Sequence, residues 1–302
     1  MKQITYRFLY IDKCNFCGAK ESTFKVLGKR LNQSQGKNPR KKMGITTTIV
    51  KCTVCGLIFS NPQPIPNAIQ DHYDISPEDY LGKDIFRTDE NYFIGEINWL
   101  QKLMHFKPEI KTLDIGAGIG KCMIVLKKHG YEAFGLEPSK SFYETAIGKM
   151  QISSERIKLS SIEEAEYPEN FFDVIFFSAV LEHLYDPSYS IQKAFHWLKP
   201  NGIIHIQVPS SKWLVHKLVN TYYKITGTDY AANLSPMHKP YHLYEFSLNS
   251  FRKHGERLNY EIVEYDYYIC ETYLPKLIDF IIKPYMRWTN TGMQLAVWLR
   301  KK

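Results

Sequence analysis

The chain lacks any long uncharged apolar run. No stretch of about 18 uncharged apolar residues occurs among its 302 residues, so we expect no membrane-spanning helix. Its first residues, MKQITYRFLYIDKCNFCG, contain no apolar segment typical of a signal peptide, and we therefore expect a cytoplasmic protein. Cysteine is also scarce, with six residues, and without a secretory signal these favour metal binding over disulfides.

The composition is otherwise that of a soluble folded protein. Hydrophobic residues make up 44% and charged residues 23%, which does not favour disorder, and the length is enough for two domains. The net charge of +8 indicates anionic partners, a class that includes nucleotides, nucleic acid and anionic lipid. Part of the excess lies in KNPRKK at 37–42, which fits either a solvated loop or a phosphate-binding segment.

The segment most similar to a membrane helix is YLPKLIDFIIKPYMRW at 273–288. Charged residues that include Lys276, Asp279 and Lys283 interrupt it. The pattern is that of an amphipathic helix, and we favour packing in the core or against a partner. Peripheral contact of 273–288 with a membrane surface stays open as the alternative.

Four cysteines form two C-x-x-C-G motifs, CNFCG and CTVCG. Cys14 and Cys17 belong to the first motif, and Cys52 and Cys55 belong to the second. Two such turns supply four soft thiolate ligands, the set that suits a tetrahedral structural zinc ion. Four protein thiolates leave no open position on the metal, so we expect no catalytic role for it.

Proline marks the end of this N-terminal part. Pro62, Pro64 and Pro66 stop a strand and stiffen the exit from the ribbon. We therefore predict a zinc-ribbon domain at 1–66, a helical linker or lid at 67–108 and a larger domain at 109–302.

The sequence LDIGAGIG at 113–120 lies between a predicted strand and a predicted helix. Ile110 to Ile115 form a buried apolar run, and GKCMIVLKKHG then has helical spacing of its apolar residues. Gly116, Gly118 and Gly120 thus fall in a strand-to-helix turn, where a ligand can approach the main chain and the helix N-terminus favours negative charge.

A second strand, YEAFGLEP at 131–138, ends in a carboxylate. Glu137 is followed by a predicted helix with Ser139 as its cap, and this alternation predicts a parallel α/β sheet. At the end of the neighbouring strand, Glu137 can accept hydrogen bonds from both ribose hydroxyls of a nucleoside held at the first loop. Lys121 stands where the dinucleotide pattern G-x-G-x-x-G requires glycine, so the loop departs from that pattern.

LDIGAGIG together with GLEPS resembles the first two motifs of class I S-adenosylmethionine-dependent methyltransferases. FFDVIFFSAVLEHLYDP at 171–187 is similar to the fourth strand and following loop of that fold, and AFHWLKPNGIIHIQVPS at 194–210 to its fifth strand and preceding helix. CTVCGLIFSNPQP resembles the zinc-ribbon segment that precedes the methyltransferase domain in one bacterial subgroup. The resemblance implies a Rossmann-like α/β fold: a mostly parallel seven-stranded sheet with an antiparallel edge, preceded by a small four-cysteine zinc ribbon.

The resemblance also implies which residues bind S-adenosylmethionine. Asp114 orients the amino group of the methionine portion, and Glu137 holds the ribose. Many relatives carry aspartate where Ser161 stands, beside the adenine. The implied cofactor-binding residues are Asp114, Gly116, Ala117, Gly118, Glu137, Pro138, Ser161, Ile162, Ser178 and Ala179.

Methyl transfer to a hydroxyl or an acidic carbon needs a general base, most often histidine. His183 lies in LEHL after the fourth strand. His242, with Tyr241, lies in MHKPYHLYEF, which also contains His238, within a 210–250 insertion where relatives build the acceptor site. The alternative for each histidine is a structural hydrogen bond in a loop.

The favoured function is methyl transfer to a small-molecule or glycan-type acceptor. The first alternative is an RNA methyltransferase that holds RNA with the ribbon and with KNPRKK at 37–42. SAVLEH follows the fourth strand where many RNA-base enzymes have N/D-P-P-Y/F, which disfavours this alternative. The second alternative is a non-catalytic cofactor-binding scaffold.

Overall fold

A computed structural model describes residues 5–30, 45–68, 76–78, 86, 91–104, 109–234, 241–270, 272 and 274–302. The strands in these ranges are β1 (Tyr6–Leu9), β2 (Phe24–Arg30), β3 (Thr48–Cys52), β4 (Ile58–Ser60), β5 (Gln63–Pro66), β6 (Lys111–Ile115), β7 (Glu132–Glu137), β8 (Ile157–Leu159), β9 (Phe172–Ser178), β10 (Leu198–Pro209), β11 (Tyr230–Ala231), β12 (Tyr244–Glu245), β13 (Tyr260–Tyr268) and β14 (Gln294–Lys301). The α-helices are α1 (Ile94–Leu103), α2 (Lys121–Lys128), α3 (Lys140–Gly148), α4 (Pro187–Trp197), α5 (Leu214–Ile225), α6 (Leu248–Leu258) and α7 (Lys276–Thr289).

The larger sheet has seven strands in the order β13-β14-β10-β9-β6-β7-β8. Strands β6 to β10 run parallel to their neighbours, and β14 pairs antiparallel with both β10 and β13. The expected parallel sheet with an antiparallel edge is therefore confirmed. Central strand β9 is mostly apolar, with Phe172, Val174 and Phe177 fully buried, as expected for a strand covered on both faces.

Side-chain caps begin two of the helices that follow these strands, α3 and α4. The Ser139 hydroxyl accepts a hydrogen bond from the Phe142 amide and starts α3, as predicted. Asp186 accepts from the Tyr189 amide at the start of α4, where Pro187 occupies the first helical position. These caps fix where each strand-to-helix turn ends, and hence where the carboxyl ends of the strands lie.

A second sheet joins the N-terminal region to the 210–250 insertion. Its order is β11-β2-β3-β4-β12, so strands from residues 24–60 lie between two short strands from residues 230–245. Tyr244 pairs with Phe59, and Tyr230 pairs with Lys29. The ribbon strands and the insertion therefore form one structural unit beside the end of the larger sheet.

Helix α7 covers most of the amphipathic segment at 273–288. Met286 is its only side chain that is fully buried among those described, while Leu277 is 89% and Phe280 86% exposed. The expectation of core packing is therefore wrong for the outer residues of this helix. Among the described residues, no helix combines the length and the apolar composition needed to cross a bilayer.

Candidate active site

The glycine loop after β6 is shaped by two different constraints. Gly116 and Gly118 both have left-handed backbone conformations, with φ of 71° and 59°. A Cβ on Gly116 would lie 2.4 Å from Cγ2 of Val180, whereas a Cβ on Gly118 would meet nothing closer than Phe142 at 3.9 Å. The close neighbour of Gly116 is thus a protein side chain, and Gly118 is the position that leaves space beside the main chain.

Glu137 lies at the end of β7 against this loop. Its carboxylate accepts hydrogen bonds from the amides of Gly118 and Ser139, each at 2.7 Å. Burial raises the pKa of Glu137 to about 7, although the hydrogen bonds from the two backbone amides oppose that shift. A buried carboxylate held this way can accept further hydrogen bonds from vicinal hydroxyls.

Asp114 lies one strand away, at the end of β6. Burial raises its pKa to about 7; a hydrogen bond with the Cys122 thiol opposes this shift and the Glu137 charge adds to it. Cys122 belongs to the first turn of α2 and was not among the predicted site residues. Burial, with a smaller contribution from the nearby Cys122 and Asp114 charges, raises the pKa of Tyr92, which lies just before α1. Tyr92, from the segment before the sheet, therefore lies near this end of the loop.

The remaining predicted cofactor residues lie on neighbouring strand ends. The Ala117 amide donates to the Leu136 carbonyl at 2.9 Å, and the Ser160 amide, just before Ser161, donates to the Glu137 carbonyl at 3.1 Å. Pro138 follows Glu137 directly, and Ile162 is buried. These contacts tie the ends of β6, β7 and β8 into one edge.

The end of β9 completes this edge. Ala179 has a φ of 57°, and its amide donates to the Gln207 carbonyl at 3.0 Å. The Ser178 hydroxyl is buried and has no hydrogen-bond partner among the described residues. An unsatisfied buried hydroxyl, a space beside Gly118 and two buried carboxylates fit a polar nucleoside that carries an amino group.

The predicted catalytic residues come together beyond β9. The His183 and His242 rings lie 4.8 Å apart, and Nδ1 of His183 lies 3.1 Å from the Tyr241 carbonyl oxygen. Because that oxygen only accepts hydrogen bonds, Nδ1 of a neutral His183 carries the proton and Nε2 is the basic nitrogen.

Glu182 is a further member of this cluster that the sequence reasoning missed. Its Oε1 lies 3.9 Å from Nε2 of His242, and its Oε2 has no hydrogen-bond partner among the described residues. Burial raises the pKa of Glu182 to about 8. The carboxylate and the two imidazoles, with ligand atoms within 4.8 Å of one another, are also a donor set able to hold a divalent cation. The sequence signal for Glu182 was its position next to His183 in LEHL.

Residues from the N-terminal part form a wall of the same region. The Arg30 guanidinium lies 5.0 Å from the centre of the Tyr241 ring, and the hydroxyls of Tyr6 and Tyr241 are 3.5 Å apart. Arg30 is buried, and this burial lowers its pKa to about 10. The candidate acceptor region is therefore built from both sheets. His238 and the basic segment at 37–42 lie outside the described residues.

The four cysteines of the two C-x-x-C-G motifs converge as predicted. Their sulfur atoms lie within 4.8 Å of one another; the distance is 3.5 Å between Cys14 and Cys55 and 3.6 Å between Cys17 and Cys52. A disulfide would need about 2.05 Å, whereas sulfurs around tetrahedral zinc, with bonds of about 2.3 Å, lie about 3.8 Å apart. The thiols are free, and the arrangement fits a tetrahedral metal ion.

Helix α6 packs directly on these cysteine turns. The Ser247 hydroxyl donates to the Cys55 carbonyl at 3.0 Å, and Arg257 donates to the Asn15 carbonyl at 2.9 Å. The Phe16 ring stacks on His254 with 4.2 Å between centres. Helix α6, which belongs to the larger domain, therefore packs against backbone whose conformation the cysteine cluster holds.

The order of the seven strands and the acidic edge beside a glycine loop define a Rossmann-like, nucleoside-binding enzyme class. A family model described as "Methyltransferase domain" matches residues 90–265, which is more than half of the chain. The chain therefore belongs to this family and contains a class I S-adenosylmethionine-dependent methyltransferase domain.

Solved structures share the fold at low sequence identity. A methyltransferase from Archaeoglobus fulgidus matches with a TM-score of 0.50 and 19% identity, covering 74% of this chain and 99% of that one. The PH0226 protein from Pyrococcus horikoshii matches with a TM-score of 0.50 and 13% identity, covering 78% and 100%. At these identities the likeness shows the fold alone.

Curated relatives match over the central part of the chain. The ubiquinone biosynthesis O-methyltransferase of Bradyrhizobium diazoefficiens is 26% identical over 131 residues, which is 42% of this chain and 49% of the relative. Phosphoethanolamine N-methyltransferase 1 of Arabidopsis thaliana is 32% identical over 108 residues, 34% of this chain and 22% of the relative. The matched part thus spans about half the length of these relatives or less.

Proposed function

We propose that the protein transfers a methyl group to a small-molecule or glycan-type acceptor that binds between the end of β9 and the 210–250 insertion. The observation that carries this proposal is the cluster of His183, His242 and Tyr241 beside the cofactor edge. The two curated relatives named above carry small-molecule acceptors in their names, which supports an acceptor of that size.

In this proposal the glycine loop and the two buried carboxylates hold S-adenosylmethionine. Glu137 binds the ribose hydroxyls, and Asp114 orients the methionine amino group. When bound, the cofactor supplies the electrophilic methyl group of its sulfonium. The chain supplies alignment of the acceptor and exclusion of water, since methyl transfer needs an in-line approach.

His183 is the general base in this account. Its Nδ1 is directed to the Tyr241 carbonyl, so Nε2 can take a proton from an acceptor hydroxyl or acidic carbon. His242 and Glu182 act as a polar pair that positions the acceptor, and Tyr241 forms part of its wall.

We also propose that the four-cysteine cluster holds one structural zinc ion. Cys14, Cys17, Cys52 and Cys55 supply thiolate ligands, and all four coordination positions are then filled by protein. Zinc in this role stabilises the turns on which α6 packs, and takes no part in methyl transfer.

The experiment is incubation with radiolabelled S-adenosylmethionine and fractionated cell extract. Label is expected in small-molecule or glycan pools; label in RNA would support the alternative acceptor class, and cofactor binding without label transfer to any pool would support a scaffold. With the acceptor identified, His183→Ala is expected to lower kcat by about 100-fold or more while cofactor affinity stays within a few fold. Unchanged kcat in both His183→Ala and His242→Ala would remove a histidine base from the mechanism.

A further inference from the structure

Helix α7 directs its apolar residues to solvent. Its inner side contributes Met286 and Ile282 to a small cluster with Trp213. On the outer side the usual arrangement is reversed, because apolar residues at the helical spacing i, i+3, i+4, i+8 and i+11 face solvent. The exposed fractions along this side are Leu277 89%, Phe280 86%, Ile281 71%, Tyr285 48% and Trp288 82%.

A row of cations runs beside the apolar row. Lys276, Lys283 and Arg287 recur at i, i+7 and i+11, so they share one side of the helix. The single acidic residue of α7, Asp279, pairs with Lys283 at 3.2 Å. Lys276 and Arg287 are exposed, and they leave this flank with net positive charge.

Helix α5 repeats the same pattern next to the end of α7. The Leu214 amide donates to the Thr291 carbonyl at 3.2 Å, which places the start of α5 beside the chain that leaves α7. Lys217 and Lys224 again lie at i and i+7, and α5 has no acidic residue. Its outward apolar residues, with their exposed fractions, are Leu218 48%, Tyr222 62% and Ile225 80%.

Positive charge is concentrated at the start of α5. Besides partial burial, the charges of Lys212 and Lys51 lower the pKa of Lys217. Lys51 lies on β3 of the ribbon sheet, so cations from two parts of the chain meet here. A surface of this kind attracts an anionic partner.

We propose that α7, with α5 next to it, docks the protein on the surface of a bilayer that contains anionic lipid. Exposed leucine, phenylalanine and tryptophan enter the boundary between headgroups and acyl chains, and the flanking lysines and arginine contact anionic headgroups. With 14 residues, α7 is too short to span the hydrocarbon core, which needs about 20 residues.

The charges favour a membrane over a second copy of the chain. In a two-fold symmetric dimer the same patch contacts itself, so the cationic flanks of two copies would be brought together. An anionic bilayer satisfies the apolar and the cationic rows at once. This docking is independent of which acceptor is methylated.

The test is co-sedimentation of the full chain with phosphatidylcholine vesicles, with and without phosphatidylglycerol. Two cations near an anionic surface contribute about fivefold each, so anionic lipid is expected to raise binding at least about tenfold. The combined variant Leu277→Glu and Phe280→Glu is expected to lower binding by more than about tenfold, because each side chain loses its burial in lipid. Lys276→Gln with Arg287→Gln should weaken the preference for phosphatidylglycerol by about tenfold or more, since two of the cations at the surface are removed.

A matched control is Tyr10→Glu, which changes a side chain that is 76% exposed elsewhere on the surface and should leave vesicle binding unchanged. Melting temperature and cofactor affinity of every variant are expected to equal those of the unmodified protein, since the substituted side chains are exposed. Absence of binding to both vesicle types overturns the proposal, as does binding that the Leu277 and Phe280 substitutions leave intact. Concentration-dependent dimerisation that Phe280→Glu abolishes, without vesicle binding, assigns the surface to a second copy and also overturns it.

Discussion

Replacing Gly116 by alanine tests how the glycine loop is fitted against the beginning of the acceptor region. The new Cβ would lie 2.4 Å from Cγ2 of Val180, and the backbone φ is 71°. Val180 directly precedes the turn that contains Glu182 and His183, and its β-branched side chain has few alternative rotamers. The substitution therefore combines backbone strain with a steric clash.

The two contributions can be separated in magnitude. A left-handed conformation costs a non-glycine residue about 1–2 kcal/mol, and overpacking of a filled site costs about 1–3 kcal/mol. Gly116→Ala is then expected to lower the free energy of unfolding by about 2–5 kcal/mol. Gly118→Ala has a similar φ, 59°, but no neighbour closer than 3.9 Å, so only the first contribution of about 1–2 kcal/mol applies to it.

The assay is urea unfolding of four variants: Gly116→Ala, Gly118→Ala, Val180→Ala and the double variant Gly116→Ala with Val180→Ala. Their free energies of unfolding are compared with the same dependence on urea concentration for all variants. Truncating Val180 removes the clashing methyl group, so the double variant should recover about 1–3 kcal/mol relative to additivity. Gly95→Ala is a control, because its Cβ would meet nothing within 4 Å. Equal losses for the two loop glycines, with additivity to within about 0.5 kcal/mol, would refute the reasoning.

Two further predictions concern pH and metal. Because the pKa values of Asp114 and Glu137 are both raised to about 7, both carboxyls hold protons at lower pH, and their ionised forms accept the cofactor's hydrogen bonds more strongly than the protonated forms do. Affinity for S-adenosylhomocysteine should therefore rise between about pH 6 and about pH 7, measured by calorimetry; affinity that falls over this interval contradicts the assignment. Metal analysis of protein purified without chelator should give one zinc per chain, and Cys14→Ser should lower the melting temperature by at least about 10 °C. Protein without zinc contradicts the structural site, and a second equivalent of metal would assign an ion to Glu182, His183 and His242.

Much of the fold follows from local signals in the sequence. The Ser139 cap, the glycine turn after Ile115 and the apolar runs of β6 and β9 each specify one strand-to-helix unit. Repetition of that unit leaves few arrangements other than a parallel sheet. The cysteine cluster was equally predictable, because its two motifs carry their own turn geometry.

The walls of the acceptor region depend on contacts that no local pattern encodes. Arg30 reaches the Tyr241 ring because β2 and β11 share a sheet, although they lie some two hundred positions apart in the sequence. Strand β12 has two residues, Tyr244 and Glu245, and is too short to produce a recognisable alternation. Such pairings are set by tertiary packing.

The spacing of apolar residues also predicts that a helix has an apolar face, but it does not predict whether that face packs in the core or faces solvent. The pattern at 273–288 predicts the amphipathic helix correctly, yet Leu277 and Trp288 face solvent. Cys122 is a different case, since a residue in the first turn of a helix lies close to the end of the preceding strand. Its contact with Asp114 could have been anticipated from the eight-residue spacing.

The most direct test of the central claim is calorimetric titration of the pure protein with S-adenosylhomocysteine, beside the variant Glu137→Gln. The account predicts saturable heat with one site per chain, and an affinity at least about tenfold weaker in the variant, since a neutral amide accepts fewer and weaker hydrogen bonds than a carboxylate. No heat with this ligand or with S-adenosylmethionine, together with binding of a nicotinamide dinucleotide, would contradict it.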